Sequence, residues 1–254
     1  MPTSAERLRV IRLESCSSTN DYLRAHLPRL RDDLPLVVCA GSQTAGRGRE
    51  GRSWSSPPGL GLYVTFAFRL ADPRRLALVP LASGVAVCEA LAAWTGRAFA
   101  LKWPNDVLGD GRKVAGILCE GMVSGEEAVS LAGIGVNLNQ RPADLPAEFR
   151  RRAASLFMLT GREWPAGGGL ERLAAALPAW MGRLQGEGPA AVVARARELT
   201  RPFLGRAVRF CQGGRDWSGV CRGLADDGGL RLETAAGEET VLYSGEIVGA
   251  ALTP

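Results

Sequence analysis

Lysine is confined to one short segment of this chain. Of its 254 residues 31 are Lys or Arg, yet the only lysines are Lys102 and Lys113 of LKWPNDVLGDGRK. In a chain that uses Arg elsewhere, a retained lysine indicates a position that needs a compact ammonium rather than a planar guanidinium. The alternative interpretation is chance survival at two solvated positions. This segment is therefore the first place to look for chemistry.

A glycine-interleaved loop carries the densest group of arginines. GRGREGR, residues 46–52, contains Arg47, Arg49 and Arg52. Glycines let backbone N–H groups approach a ligand closely, and guanidinium forks suit phosphate or carboxylate. The loop has no GxxxxGK[ST] phosphate motif. From its residues alone, it is typical of an anion site, of nucleic-acid binding, or of a disordered segment.

Two further segments bring polar side chains to the ends of predicted strands. KWPNDV combines a cation, an indole and Asn105–Asp106 in a rigid turn, although a plain Pro-Asn-Asp turn with a solvated lysine is the alternative. Lys113 precedes small and apolar residues, so we expect its ammonium beside a core. GIGVNLN offers glycine backbone and Asn137, which could bind a nucleobase edge or simply end a buried strand.

Composition excludes several classes of site. His26 is the only histidine, and the six cysteines form no CxxC pair, so neither a His-rich metal site nor a zinc finger is expected. The cysteines are predicted to be reduced core residues. A hydrophobic fraction of 46% with apolar runs too short for a bilayer predicts no membrane span and a cytoplasmic location. The net charge of +5 suits a phosphate-bearing ligand or an Arg-rich surface equally.

The elements that must position these residues follow from hydrophobic periodicity. Ser18 or Thr19 is the predicted N-cap of a helix that follows a strand at 8–13. Further predicted strands are LPLVVCAG, GLGLYVTFAFRL and AFALKW, and KVAGILCEGMV and AVSLAGIGVN form a predicted hairpin. One long helix is predicted from Pro73 to Trp94, and two more over 168–199. Short runs after Pro202 predict a five-stranded barrel.

Five motifs in order give the sequence a family resemblance. With SSTN, GRGREGRSW, KWPNDV, RKVAGIL and GIGVNLN, the chain resembles the biotin protein ligases, which attach biotin to a lysine of carboxylase carrier domains. The resemblance is strongest from Ser15 to Asn139. It implies an α/β (α+β) catalytic domain, residues 1–202, whose mixed sheet is flanked by helices as in class II aminoacyl-tRNA synthetases and lipoate ligases. It implies an SH3-like barrel over 203–254.

The resemblance also implies chemistry and residue roles. Biotin's carboxylate would attack the α-phosphate of ATP-Mg²⁺, giving biotinyl-5'-AMP, which a carrier lysine would then attack; neither step needs an enzyme nucleophile. The implied catalytic residues are Lys113 and Arg49. The implied biotin-binding residues are Ser18, Thr19, Asn20, Gln43, Arg47, Gly48, Arg49, Lys113 and Gly116. The implied ATP-binding residues are Arg49, Arg52, Trp54, Lys102, Asn105, Lys113 and Asn137, and Asp106 is the implied Mg²⁺ ligand.

Other functions and partners remain to be weighed. A lipoate or octanoate ligase or transferase of the related fold is the alternative enzyme, and a nucleic-acid-binding regulator is the alternative from another class. The regulator would need a recognition helix or an aromatic-interleaved basic strand, and neither is evident. Seventeen residues before Ser18 are too few for a helix-turn-helix domain. We therefore expect the ligase-only form, which acts on a biotin carboxyl carrier protein and does not bind DNA; a homodimer is one option for its assembly.

Overall fold

A seven-stranded mixed sheet forms the centre of the larger domain. The structure, a computed structural model, describes residues 8–212 and 215–248. The strands follow the order β1-β2-β3-β7-β6-β5-β4, in which only β1 and β2 are parallel neighbours. Their bounds are β1 Arg9–Leu13, β2 Leu36–Ala40, β3 Gly61–Leu70, β4 Ala100–Lys102, β5 Asp106–Gly109, β6 Arg112–Ser124 and β7 Glu127–Asn137. The predicted mixed sheet and the β6–β7 hairpin are confirmed.

Helices cover both faces of this sheet. They are α1 Thr19–Leu30, α2 Val79–Thr95, α3 Leu156–Thr160, α4 Ala166–Gly186 and α5 Pro189–Thr200. Alternation along β2 assigns each face: Leu36 and Val38 pack beneath Leu23 of α1, and Val37 belongs to the larger core that contains α2 and α4. Successive strand side chains point to opposite faces, so this short apolar strand contributes to both cores.

The N-terminus of α1 lies where the SSTN motif predicted it. Ser18 has extended backbone angles, and its hydroxyl oxygen accepts from the backbone N–H of Asp21 at 3.5 Å, a long capping contact. The predicted cap is therefore confirmed. Because the helix begins there, the backbone and side chains of Thr19 and Asn20 are buried against the sheet rather than exposed.

The segment 73–95 corrects the expectation that every apolar run is too short to cross a bilayer. It is 23 residues long with a mean hydropathy of 1.9, enough by length and composition to cross a membrane. However, 67% of the most apolar window is buried inside the fold, where α2 packs on the sheet and on α4. The segment is thus the core helix of this domain.

Three details differ from the sequence expectation. The helix predicted from Pro73 to Trp94 is a 3₁₀ segment, Pro73–Leu78, followed by α2, because Asp72 caps the first turn and Pro80 begins the second. The strand predicted from AFALKW is shortened to β4, and a turn begins at Trp103. The short helix α3 was not predicted; Ser155 caps it and Gly161 ends it.

The C-terminal residues form a five-stranded antiparallel sheet, as predicted, which fits a small SH3-like domain. Its strands are β8 Ala207–Gln212, β9 Arg215–Leu224, β10 Leu230–Glu233, β11 Glu239–Leu242 and β12 Glu246–Val248, in the order β11-β10-β9-β8-β12. The domain packs on the larger domain through Trp103, which donates to Gly228 O at 3.0 Å and whose ring lies 5.8 Å from the ring of Phe210.

The described cysteines are free thiols, as predicted for reduced core residues. Cys88 and Cys221 are fully buried, whereas Cys16, Cys39 and Cys119 are half-buried. The side chain of Cys211 lies outside the described part of the chain.

Candidate functional site

One cavity of about 580 Å³ collects almost all of the predicted site residues. It lies between the N-terminus of α1, the arginine loop, and the ends of β5, β6 and β7. Its lining includes Ser18, Thr19, Asn20, Gln43, Arg47, Gly48, Arg49, Arg52, Trp54, Asn105, Asp106, Lys113, Gly116 and Asn137. A volume of this size falls in the range of small-molecule sites.

Lys102 is the predicted residue that does not line this cavity. It is half-buried on β4, directly opposite Asp106 in the antiparallel pair. Asn105, three residues later in the chain, and Asp106, its partner on β5, both line the cavity. Contact between Lys102 and a nucleotide therefore stays a prediction.

One end of the cavity is a small network of neutral polar groups. The side-chain oxygen of Gln43 accepts from the backbone N–H of Thr19 at 2.9 Å and from its hydroxyl at 3.1 Å. The amide nitrogen of Gln43 donates to Ser56 Oγ at 2.8 Å. Thr65, fully buried on β3, places its hydroxyl 2.8 Å from Thr19 Oγ1. Such hydroxyls and amides suit a neutral ligand that both donates and accepts hydrogen bonds.

Asn20 lines this end of the cavity, but its amide N–H groups are not available to a ligand. Its amide nitrogen donates to Leu118 O at 3.2 Å and to Glu120 Oε2 at 3.0 Å, and its oxygen lies 2.6 Å from Thr65 Oγ1. Both N–H groups are used within the protein, so a ligand could reach only the second lone pair of the oxygen. A Cβ on Gly133 would overlap this oxygen, so the glycine makes room for it.

The middle of the cavity holds the predicted catalytic lysine. Lys113 Nζ lies 2.6 Å from Asp106 Oδ1 and 5.3 Å from the centre of the Trp54 ring. The Asp106 side chain is only 10% exposed, so it has little other solvation and fixes the ammonium. The indole rests on glycine: a Cβ on Gly116 would be 2.9 Å from Trp54 Cζ3, and one on Gly135 would overlap the ring. Trp54 Nε1 is buried without a hydrogen-bond partner.

The arginine loop is held at both ends. Gly48 N–H donates to Arg52 O at 2.7 Å, which closes the loop on itself. Arg47 lies against the carboxylates of Glu120 and Asp21, at 3.0 Å and 2.8 Å. Glu50, the one acid within the loop, has positive φ, is 54% exposed and pairs with Arg52, so it points away from the cavity.

Arg49 reaches from the loop to both domains. Its Nη1 donates to Asn105 Oδ1 at 3.1 Å and to the backbone carbonyl of Gly245 at 2.9 Å. Asn105 is itself fixed, because its amide nitrogen donates to Ile117 O at 2.8 Å. The two acceptors of Arg49 are neutral, so an anionic ligand would compete with them effectively.

The far end of the cavity combines amides with an apolar wall. Asn137 donates to Ala154 O at 3.0 Å, and Gln140 donates to Asn137 Oδ1 at 3.2 Å, so both amide orientations follow from the Ala154 carbonyl. Gln140 Oε1 is then left buried as an acceptor without a partner. The wall is formed by Leu145, Pro146 and Phe149. Such a surface suits a flat heterocycle with an amino group.

Several residues of this site escaped the sequence analysis. Thr65, Glu120, Gln140 and Gly245 carry no motif of their own. Gln140, three residues after Asn137, and Glu120, on the strand that begins near Lys113, were within reach of the motifs. Thr65 and Gly245 are brought to the site only by sheet pairing and by packing of the second domain.

The described lining residues determine what chemistry this site can perform. They include no histidine or cysteine, and no cluster of three metal-ligating side chains occurs in residues 8–212 and 215–248. Beneath the loop, burial raises the pKa of Tyr63 well above its usual value, so it stays neutral and donates to Pro57 O at 2.9 Å. The arrangement can bind and orient anions beside fixed cations.

Family models match both domains. Residues 13–139 match the Biotin/lipoate A/B protein ligase family, and residues 203–248 match the Biotin protein ligase C terminal domain. The first match covers strands β2 to β7, α1 and the motifs that build the cavity. The second covers the five-stranded sheet.

Similar proteins and structures cover most of the chain. The Biotin--[acetyl-CoA-carboxylase] ligase of Mycobacterium tuberculosis is 33% identical over 91% of this chain and 85% of its own. The Bifunctional ligase/repressor BirA of Bacillus subtilis is 31% identical over 83% of this chain, which spans 65% of that relative's length. The structure of Biotin protein ligase from Aquifex aeolicus in complex with biotin and ATP matches with a TM-score of 0.78 and 31% identity, covering 94% of this chain and 97% of that chain.

Proposed function

This chain belongs to the biotin protein ligases, and we propose that it activates biotin with ATP and transfers it to a lysine of a biotin carboxyl carrier protein. The observation that carries the proposal is a single cavity that joins a neutral polar end, a fixed ammonium and arginine loop, and an amide-and-apolar end. These three regions correspond in order to a ureido ring, a carboxylate with phosphates, and an adenine. The names of similar proteins that bind biotin and ATP support this assignment.

The first step joins two anions without an enzyme nucleophile. An oxygen of biotin's carboxylate attacks the α-phosphorus of ATP, the bond from that phosphorus to the bridging oxygen breaks, and pyrophosphate leaves. Lys113 offsets the repulsion between the carboxylate and the α-phosphate, and Asp106 keeps its ammonium in place, 2.6 Å away. This preorganised charge is most valuable where the reacting oxygens are closest, in the transition state.

The second step transfers the acyl group. The neutral amine of the carrier lysine attacks the carbonyl carbon of biotinyl-5'-AMP, an amide forms, and AMP leaves with its phosphate. The amine proton passes to the departing phosphate or to water. Arg49 retains the adenylate until the carrier arrives, since its two present acceptors, Asn105 and Gly245, are uncharged and a phosphate oxygen is preferred.

Magnesium enters with the triphosphate. Asp106, the predicted ligand, is already paired with Lys113, and the described residues form no group of three metal-ligating side chains. Mg²⁺ commonly keeps several waters and binds through one or two carboxylates plus substrate phosphates. The ion would therefore be held mainly by ATP, where it supplies charge neutralisation, with at most one carboxylate from this chain.

Partner and location proposals follow the family. The acceptor is a carrier protein or carrier domain of a carboxylase, in keeping with the names of relatives. A cytoplasmic location, a possible homodimer, the absence of DNA binding and a domain boundary at residues 202–203 stay predictions. The lipoate or octanoate alternative is disfavoured because the relatives are named as biotin ligases, although the matching family model also includes lipoate enzymes.

A transfer assay tests the proposal. The protein is incubated with ATP-Mg²⁺, a biotin carboxyl carrier domain, and biotin, lipoate or octanoate in parallel. The expected result is a mass increase of the carrier equal to one amide-linked biotin, lost when the acceptor lysine is replaced by arginine. Modification by lipoate or octanoate in preference to biotin would replace the proposed function with the alternative.

A further inference from the structure

Glu120 lies outside the cavity, yet it contacts two side chains that line it, Asn20 and Arg47, and a third, Arg24, beyond it. It is on β6, its side chain is 24% exposed, and it is absent from the cavity lining. Its carboxylate accepts from Arg47 Nη2 at 3.0 and 3.1 Å, from Asn20 Nδ2 at 3.0 Å, and from Arg24 Nη1 at 3.1 Å. A glutamate that is only solvated at the surface does not need these contacts.

The carboxylate is itself held before any ligand binds. Asn20 is buried, with its oxygen directed to Thr65, so its amide nitrogen can only face the Leu118 carbonyl and Glu120. Arg24 pairs with Glu120 from the other side and also with Asp21. Strand β6 fixes the backbone through its pairing with β7. Glu120 is thus a rigid acceptor rather than a mobile surface group.

Arg47 is the side chain that this acceptor constrains. Its Nη2 is held by two carboxylates, Glu120 and Asp21, while its Nε–H is buried without a hydrogen-bond partner beside the cavity. A buried unpaired donor carries a cost unless a ligand oxygen satisfies it. The two carboxylates therefore clamp Arg47 through Nη2, and they leave Nε–H, on the same edge of the guanidinium, as a donor without a partner.

We infer that Glu120 is a positioning residue for the acid substrate: it holds Arg47, which lines the cavity, so that this guanidinium stays beside the bound acid. This inference rests on the proposed function. It concerns the acid rather than the nucleotide, because Arg47 is linked through the Glu120 carboxylate to Asn20 at the polar end, whereas Lys113 and Arg49 pair with Asp106 and Asn105.

The direction of the change in the KM for the acid distinguishes a positioning role of Glu120 from a general electrostatic effect of its charge. Removing a negative charge near bound anions would strengthen ATP and acid binding through the overall field. Releasing Arg47 from its clamp would instead weaken acid binding. Glu120→Gln keeps the size and one acceptor oxygen and removes only the charge, so the two effects predict opposite changes in the KM for the acid.

The experiment measures acid-dependent pyrophosphate release by the full chain with biotin, lipoate and octanoate at saturating ATP. For Glu120→Gln we expect the KM of the accepted acid to rise about tenfold, as for loss of a charge-assisted contact, with the KM for ATP changed less than about twofold. Glu127→Gln is the matched control, since Glu127 lies on the same hairpin and pairs with two arginines, Arg31 and Arg69, far from the cavity. It should leave both KM values unchanged.

A double-mutant cycle completes the test. If Glu120 acts through Arg47, Glu120→Gln should raise the acid KM much less in an Arg47→Met background than in the wild type. An unchanged or lowered acid KM in Glu120→Gln, or additive effects in the cycle, would overturn the inference while leaving the ligase activity intact. Wild-type activity with lipoate but not biotin would overturn the proposed function alone, and the cycle would then be run with lipoate. Failure of all three acids to release pyrophosphate would overturn both.

Discussion

Arg49 donates to the backbone carbonyl of Gly245 at 2.9 Å, so an arginine of the loop beside the cavity is held by the C-terminal domain. The same domain accepts a hydrogen bond from Trp103, in the turn that leads to Asn105, through the Gly228 carbonyl. Both contacts use backbone carbonyls, which vary little with sequence. The second domain therefore contributes to the shape of the candidate site.

Retention of the adenylate should depend on Arg49. In Arg49→Gly, biotin-dependent pyrophosphate release should persist, but biotinyl-5'-AMP should escape because a charge-assisted contact, roughly 1.5–3 kcal/mol, is lost. Biotinylation of bystander lysines, measured by mass spectrometry with a non-carrier protein, should rise. Labelling that stays confined to the carrier would remove this role from Arg49.

The geometry of the ammonium should matter as much as its charge. Lys113→Arg keeps the cation but replaces the compact ammonium beside Asp106 with a wide planar fork. We expect adenylation, measured as pyrophosphate release, to fall at least about 100-fold, as for removal of one preorganised electrostatic donor. Lys102→Arg is the matched comparison outside the cavity and should lose less. Near-wild-type activity of Lys113→Arg would show that any cation suffices.

The glycine backbone on which Trp54 packs should not tolerate an added methyl group. Gly135→Ala would place a Cβ into the indole ring, so Trp54 must shift toward the cavity. We expect an overpacking cost of about 1–3 kcal/mol in the free energy of unfolding, together with a raised KM for ATP. Gly167→Ala in α4, where no atom lies within 4 Å of the new Cβ, is the control. Equal KM values for the two variants would show that the indole position is unimportant.

Stability should fall in alkaline solution through a buried thiol. Burial raises the pKa of Cys88 well above its ordinary value of 9.0. The contribution of this thiol to the free energy of unfolding is fully present below the pKa of Cys88 in the unfolded chain. Above about pH 9 the thiol ionises in the unfolded chain but not in the folded protein. The contribution therefore declines by up to about 1.4 kcal/mol per pH unit. Thermal unfolding of Cys88→Ala between pH 8 and 10.5 should therefore show a smaller loss of Tm than the wild type. Parallel curves would contradict this.

Much of the fold was predictable from local patterns. The Ser18 cap, the β6–β7 hairpin and the five C-terminal strands follow from capping chemistry, alternation and turn residues, which act over a few positions. The break between Pro73–Leu78 and α2 was missed, because apolar periodicity does not distinguish a 3₁₀ turn from an α-helical one. The helix α3 was missed because five residues are too few for a periodic signal.

The sequence by itself determined which chemistry was available: two lysines, one arginine loop, four asparagines and a single histidine in a chain with no CxxC pair. Tertiary structure decided which of them meet. Packing of strands and domains brings Arg47 to Glu120 and Arg49 to Gly245, across 73 and 196 positions of the chain, and leaves Lys102 outside the cavity. Motifs report local backbone requirements, whereas these contacts depend on sheet order and domain packing, which no local pattern encodes.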